Sequence, residues 1–160
     1  KIVASDPPYR DGWRGLAHPD GTFTQRGQRA PFLFYEVSLQ RWQSATLQRD
    51  EGWCIPAAHA VDDMAAILEA YGFNAAEVDD FVEGWRHDLA PADVYAVHPQ
   101  VRVDDLAPLH ISPALPVDRL WLVVDDAPAC DIGQQPPVVP FDRTGPHAVE
   151  WGVVMGDIVL

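Results

Sequence analysis

The stretch GWCIPAAHAVDDMAAILEAYGFNAAEVDDFVEGWRHDL, Gly52–Leu89, holds two strongly helical patterns back to back. Val61, Met64, Ile67, Leu68 and Tyr71 recur at spacings of three and four, one apolar stripe on a helix. Gly72 ends that stripe, because glycine takes the left-handed conformation that helix ends often need. Asn74 then opens a second helix with Glu77 three residues on, a capping-box spacing. Its stripe is Val78, Phe81, Val82 and Trp85. So short a connection forces the two helices antiparallel, an αα-hairpin over about 57–71 and 75–89 with one shared apolar face. The remainder of the chain must cover that face.

Around the hairpin the sequence reads as short strands. Pro19-Asp20-Gly21 supplies a preset φ, a turn-capping side chain and a residue tolerant of positive φ. It joins a strand begun at Gly12-Trp13 to a return strand at Thr22–Thr24. Phe32–Val37 is nearly continuous in its apolarity, as in a strand covered on both faces. Gly52–Ile55, Val94–Val97, the alternation around Val101 and Val103, Arg119–Val124 and His147–Met155 complete about eight strands. Gly152 in the last marks a bulge or a close approach. No βαβ alternation demands a parallel sheet. The expected fold is therefore α+β and mainly β, an antiparallel β-sandwich or barrel with the helical hairpin inserted.

At 160 residues, 48% of them hydrophobic, the chain fits one globular domain over 1–160, with residues 1–12 expected as a surface arm. No apolar run approaches the roughly 20 residues a membrane-spanning helix needs. The 24 acidic residues outnumber the 11 basic ones, a net charge of −13. That field repels phosphate backbones and anionic lipid, so nucleic acid and membrane surfaces are poor partners.

Two glutamates sit inside apolar strands, Glu36 after Phe-Leu-Phe-Tyr and Glu150 between Val149 and Trp151. A carboxylate there is costly unless paired or hydrogen-bonded. Read as chemistry, they would be the acid/base or nucleophile pair of a glycoside hydrolase, with Tyr35 and Trp151 as sugar platforms. Read as structure, each faces solvent or meets an arginine such as Arg102, Arg119 or Arg143. His59 and His87, with nearby aspartates, would fall at one end of the hairpin, the weak beginnings of a metal or pH-sensitive cluster. The plainer reading is solvated groups at helix ends. No nucleophile elbow or phosphate-binding loop is present, and no cofactor is implied. The only cysteines, Cys54 and Cys130, lack Cys-x-x-Cys spacing and read either as two buried thiols or as a disulfide.

Several landmarks recur in a fixed order: Gly12-Trp13, Pro19-Asp20-Gly21, FLFYE at Phe32–Glu36, Gly52-Trp53, Gly72-Phe73-Asn74, Ile111-Ser112-Pro113, and VEWG at Val149–Gly152. In this the chain resembles a group of uncharacterised bacterial proteins, many of them exported, over roughly residues 12–152. Cys54 departs from the pattern, standing where the group has an apolar residue. The resemblance implies an exported protein, periplasmic or extracellular, in which Cys54 and Cys130 would be bridged. It assigns no activity. Of two functional expectations the first is a non-catalytic β-rich binding or structural module, an accessory subunit that contacts a protein partner in an exported or membrane-associated assembly. The alternative is a carboxylate-dependent hydrolase of a carbohydrate-like substrate, working through Glu36 and Glu150.

Overall fold

A sequence so often interrupted by proline and glycine sustains only short strands in its first quarter. The computed structural model describes residues 1–156; residues 157–160, the end of the domain expected over 1–160, lie outside the described residues. The chain divides into two units, Lys1–Ser44 and Ala45–Leu160. In the first, strand β1 (Ile2–Asp6) runs antiparallel to β5 (Phe34–Val37) as a two-stranded ribbon. Residues 1–12 are thus not simply an arm, since five of them form a strand. Between the two lies a three-stranded meander of β2 (Leu16–Ala17), β3 (Phe23–Gln25) and β4 (Gln28–Ala30). The Pro-Asp-Gly turn joins β2 to β3 as its residues require. Asp20 accepts from the backbone N–H and the hydroxyl of Thr22 and pairs with Arg29. Those hydrogen bonds hold its carboxyl below the ordinary value. Arg26 and Gly27, both at positive φ, make the tight two-residue turn into β4. A single helical turn, α1 (Arg41–Ser44), closes the unit.

The second unit begins its sheet with β6 (Trp53–Pro56), followed by a 3₁₀ turn (Ala57–His59) and the helical hairpin, α2 (Ala60–Tyr71) and α3 (Ala75–Trp85). Gly72 caps α2 at φ 97°, and Phe73 N–H reaches back to the Leu68 carbonyl, the double closure that satisfies the last carbonyls of a helix. Asn74 accepts from Glu77 N–H while Glu77 accepts from Asn74 N–H, a complete capping box. The second helix ends at Trp85 instead of running to 89, and residues 86–88 continue as turns. The stripes face inward: Met64, Ile67, Leu68, Tyr71, Val78 and Phe81 are buried. Burial lifts the Tyr71 hydroxyl above its ordinary pKa, helped by the charge of Glu51.

Three further strands complete the sheet: β7 (Val94–Gln100), β8 (Val117–Asp126) and β9 (Ala148–Met155), in the order β6-β7-β8-β9. The first two pairings are antiparallel, and β8 with β9 is parallel. This corrects the all-antiparallel expectation. The crossover over 127–147 carries no helix, so the sequence lacks the βαβ rhythm that announces parallel pairing. Val101 and Val103 correct a second expectation: they flank and begin a 3₁₀ turn (Val103–Asp105), not a strand. The sheet is open, with β6 and β9 as edges, and no sheet among the described residues closes into a barrel.

Alternation along these strands sorts side chains onto two faces. Ile55, Tyr95, Val97, Leu120, Leu122 and Val124 pack under the helical hairpin. The opposite face carries His98, Gln100, Arg119, Trp121 and Val123, all buried although three of them are polar. It is this second face that holds the unit's polar chemistry.

Candidate functional site

Arg119 is the side chain around which the polar face is built. Register sets it directly opposite Glu150 across the parallel β8–β9 pair, with Trp121 two residues on along the same face. Its guanidinium is 3% exposed and the Glu150 carboxylate 12%. Arg119 Nε donates to Glu150 Oε2 at 3.0 Å and Nη2 to Oε1 at 2.9 Å, the two-point fit of a planar guanidinium to a carboxylate. Nη1 donates to Asp104 Oδ1 at 2.5 Å and to the Ala107 carbonyl at 2.6 Å, which ties the 3₁₀ turn to the sheet. Trp121 Nε1 donates to the same Glu150 Oε1 at 2.6 Å, and its ring centroid lies 5.8 Å from the guanidinium carbon. Glu150 therefore accepts three hydrogen bonds from two buried donors.

Gly152 belongs to the same construction. It is the register partner of Trp121, and a Cβ there would stand 2.8 Å from the indole Cδ1. The indole lies where a side chain would be, so glycine answers a close approach and not a bulge. Val149 and Trp151, on the other face, pack toward the helices, with Trp151 edge-on to Phe81 at 5.4 Å. The VEWG run thus alternates: two residues for the core, one for the buried arginine, one to make room.

At the other end of this face His98 is buried and donates from Nδ1 to the Glu51 carbonyl at 2.8 Å. Its Nε2 looks toward Asp125 Oδ2 at 3.9 Å, and Asp125 is held by Arg49 Nε at 2.8 Å. Gly52 leaves room for the imidazole, since a Cβ there would come within 2.7 Å of Nδ1. A ring closed in by a carbonyl and a carboxylate is positioned to brace strands. A general base instead needs a nitrogen open to substrate.

The other candidates fall elsewhere. Glu36 is exposed on β5 in the first unit, while Glu150 belongs to the second. Neighbouring Phe34 is 40% exposed, so the run Phe32–Val37 is not the doubly covered strand its apolarity announces. Tyr35 is half-buried beside Trp13, ring centroids 6.0 Å apart. His59 and His87 are both exposed, and no group of three or more His, Cys, Asp or Glu among the described residues converges as metal ligands. Cys54 and Cys130 are bonded, Sγ to Sγ at 2.08 Å, and join β6 to the proline-rich crossover. A cleft of about 210 Å³ lies beside Asp104, Asp118 and Arg119, and a larger one of about 400 Å³ beside Asp93 and Asp126.

Nothing in the sequence singles out His98, because a lone buried histidine carries no local pattern, and Asp125 reads there only as a turn residue closing a strand. Arg119 was visible only as one of three possible partners for a carboxylate. Comparison with protein-family models, curated proteins and solved structures finds no match to this chain.

Proposed function

We propose that this chain is a non-catalytic binding module that works by protein contact, as an accessory subunit of an exported or membrane-associated assembly. The observation that carries the reading is the character of the first unit. No residue of Lys1–Ser44 is buried, and Trp42, Leu16 and Val3 are each about 60% exposed. Large apolar side chains left this open offer contact area to a partner. What weighs against the hydrolase reading is the commitment of Glu150. Its carboxylate is 12% exposed and already accepts three hydrogen bonds, two from Arg119 and one from Trp121, so little of it is left to face a substrate. Export is supported by the disulfide, which persists in oxidising compartments. No helix of the described residues is long and apolar enough to cross a membrane.

The test is the native size of the protein in a gentle extract of its host. Wild type should migrate in a complex well above the mass of its own chain. The double variant Phe34→Ser/Trp42→Ser, both positions exposed, should melt like wild type yet migrate at that mass. A wild-type chain that migrates alone, or a complex indifferent to these two side chains, would count against the proposal.

A further inference from the structure

The module reading leaves the partner open, and resting on that reading we infer that the partner is a second copy of this chain. The first unit of one copy would seat on the proline-rich crossover in the second unit of another. Charge is the first argument. Lys1–Ser44 contains six basic residues against four acidic ones, and Ala45–Leu160 five against twenty, net charges of +2 and −15. Arg10, Arg26 and Arg41 are exposed in the first unit with no carboxylate at ion-pair distance among the described residues. Two whole copies at −13 each repel, so the attraction available to a pair is that between the +2 first unit of one copy and the −15 second unit of the other.

The placement of exposed apolar side chains is the second argument. Nine large ones are exposed among the described residues. Six belong to the first unit: Val3, Tyr9, Leu16, Phe32, Phe34 and Trp42. The other three, Val101, Val138 and Val139, belong to the second, and two of them sit in the run Pro136-Pro137-Val138-Val139-Pro140. Each group lies within a unit of one charge sign.

The build of that run is the third. It is anchored at both ends: Gly52 N–H donates to the Gln134 carbonyl at 3.1 Å, and Phe141 N–H donates to the Tyr71 carbonyl at 2.9 Å. Phe141 is fixed further by its ring contacts with Tyr71 and Phe73. Between these anchors 135–140 makes no backbone–backbone hydrogen bond among the described residues, and 137–140 is exposed. Three prolines hold the run extended before anything binds, so little ordering remains to oppose docking. Extended proline segments are read by aromatic surfaces. Tyr9, Phe32, Phe34 and Trp42 offer the aromatic side chains, and the run 136–140 offers the prolines.

Sedimentation of the purified protein alone tests this over about a hundredfold range of concentration and at two salt concentrations. The expected result is a mass that rises with concentration at low salt, with an association constant at least about tenfold weaker at high salt. Phe34→Ser/Trp42→Ser and Val139→Asp should each abolish association while melting like wild type. Their equimolar mixture should regain it, because each variant retains the surface that the other lacks. A monomer at every concentration overturns the inference. So does association that either variant leaves intact, or a mixture that stays monomeric. A purified monomer that enters a large complex in host extract refutes the second copy and leaves the module reading standing; a chain that is single in both refutes the two together.

Discussion

Replacing Glu150 with Gln asks whether the buried carboxylate is structural. The wild-type carboxylate takes Arg119 Nε and Nη2 at 3.0 and 2.9 Å and Trp121 Nε1 at 2.6 Å. Gln keeps one acceptor oxygen, which can still serve Nη2 and the indole. Its amide nitrogen then points N–H at the Arg119 Nε–H, so one hydrogen bond becomes a donor–donor conflict and the compensating charge is lost. Breaking a buried ion pair from one side costs about 3–5 kcal/mol, because the remaining charge stays desolvated. Here Arg119 retains Asp104, but that carboxylate is 70% exposed and screened by solvent. The low end, about 3 kcal/mol, is therefore the expected loss. Urea unfolding followed by tryptophan fluorescence reads it as a lower midpoint at unchanged slope. Glu36→Gln, at an exposed position, should stay within about 0.5 kcal/mol of wild type and serves as the control. Arg119→Met/Glu150→Leu should recover only part of the loss, since it removes the buried unpaired charge but leaves the buried Trp121 N–H without its acceptor. An unchanged or raised midpoint for Glu150→Gln would refute the structural role and fit a strained catalytic carboxylate instead.

Three further perturbations address other parts of the fold. Asn74→Ala removes the acceptor for Glu77 N–H and should cost about 1 kcal/mol in urea unfolding; the loss should not grow far beyond that, because Arg143 still grips Glu77 with two hydrogen bonds. Cys54→Ser/Cys130→Ser opens a loop closed across 76 residues and should lower stability by about 4 kcal/mol, a loss that reduction of wild type should reproduce. Asp80 has its carboxyl raised by burial and then by Glu83, Asp79 and Glu77, so its charged form opposes folding. Its contribution improves as pH falls through that raised value and levels off below the ordinary 3.8. Asp80→Asn should therefore melt higher than wild type near neutral pH, with the gap closing in acid.

The parts of this fold legible in the sequence are those specified by neighbours in the chain. The stripe from Met64 to Tyr71, the Gly72 stop and the Asn74–Glu77 box each depend on residues within two helical turns. The turn at Pro19–Gly21 is local in the same way. Arg26-Gly27 escaped notice because arginine seldom sits at positive φ, where Asn-Gly or Asp-Gly would have signalled the turn. Phe32–Val37 misled because apolarity does not say whether a strand is central. Here it lines a two-stranded ribbon, with Phe34 and Glu36 exposed and Tyr35 and Val37 half-buried. The parallel register of β8 and β9 lies beyond local pattern, since it depends on where a crossover without a helix returns. The polar face follows from that register. Arg119 and Glu150, 31 residues apart, become partners only once it is known.

Contact between the first unit and a protein partner, as proposed above, can be caught where it would occur. A photo-activated cross-linker placed at Trp42 in the living host, with a second chain carrying it at His59 as control, tests this directly. Both positions are exposed, but only Trp42 belongs to the apolar surface of Lys1–Ser44. Trp42 should give one discrete protein adduct, at twice the chain mass if the partner is a second copy, and His59 none. No adduct from Trp42, or the same diffuse adducts from both positions, would contradict it.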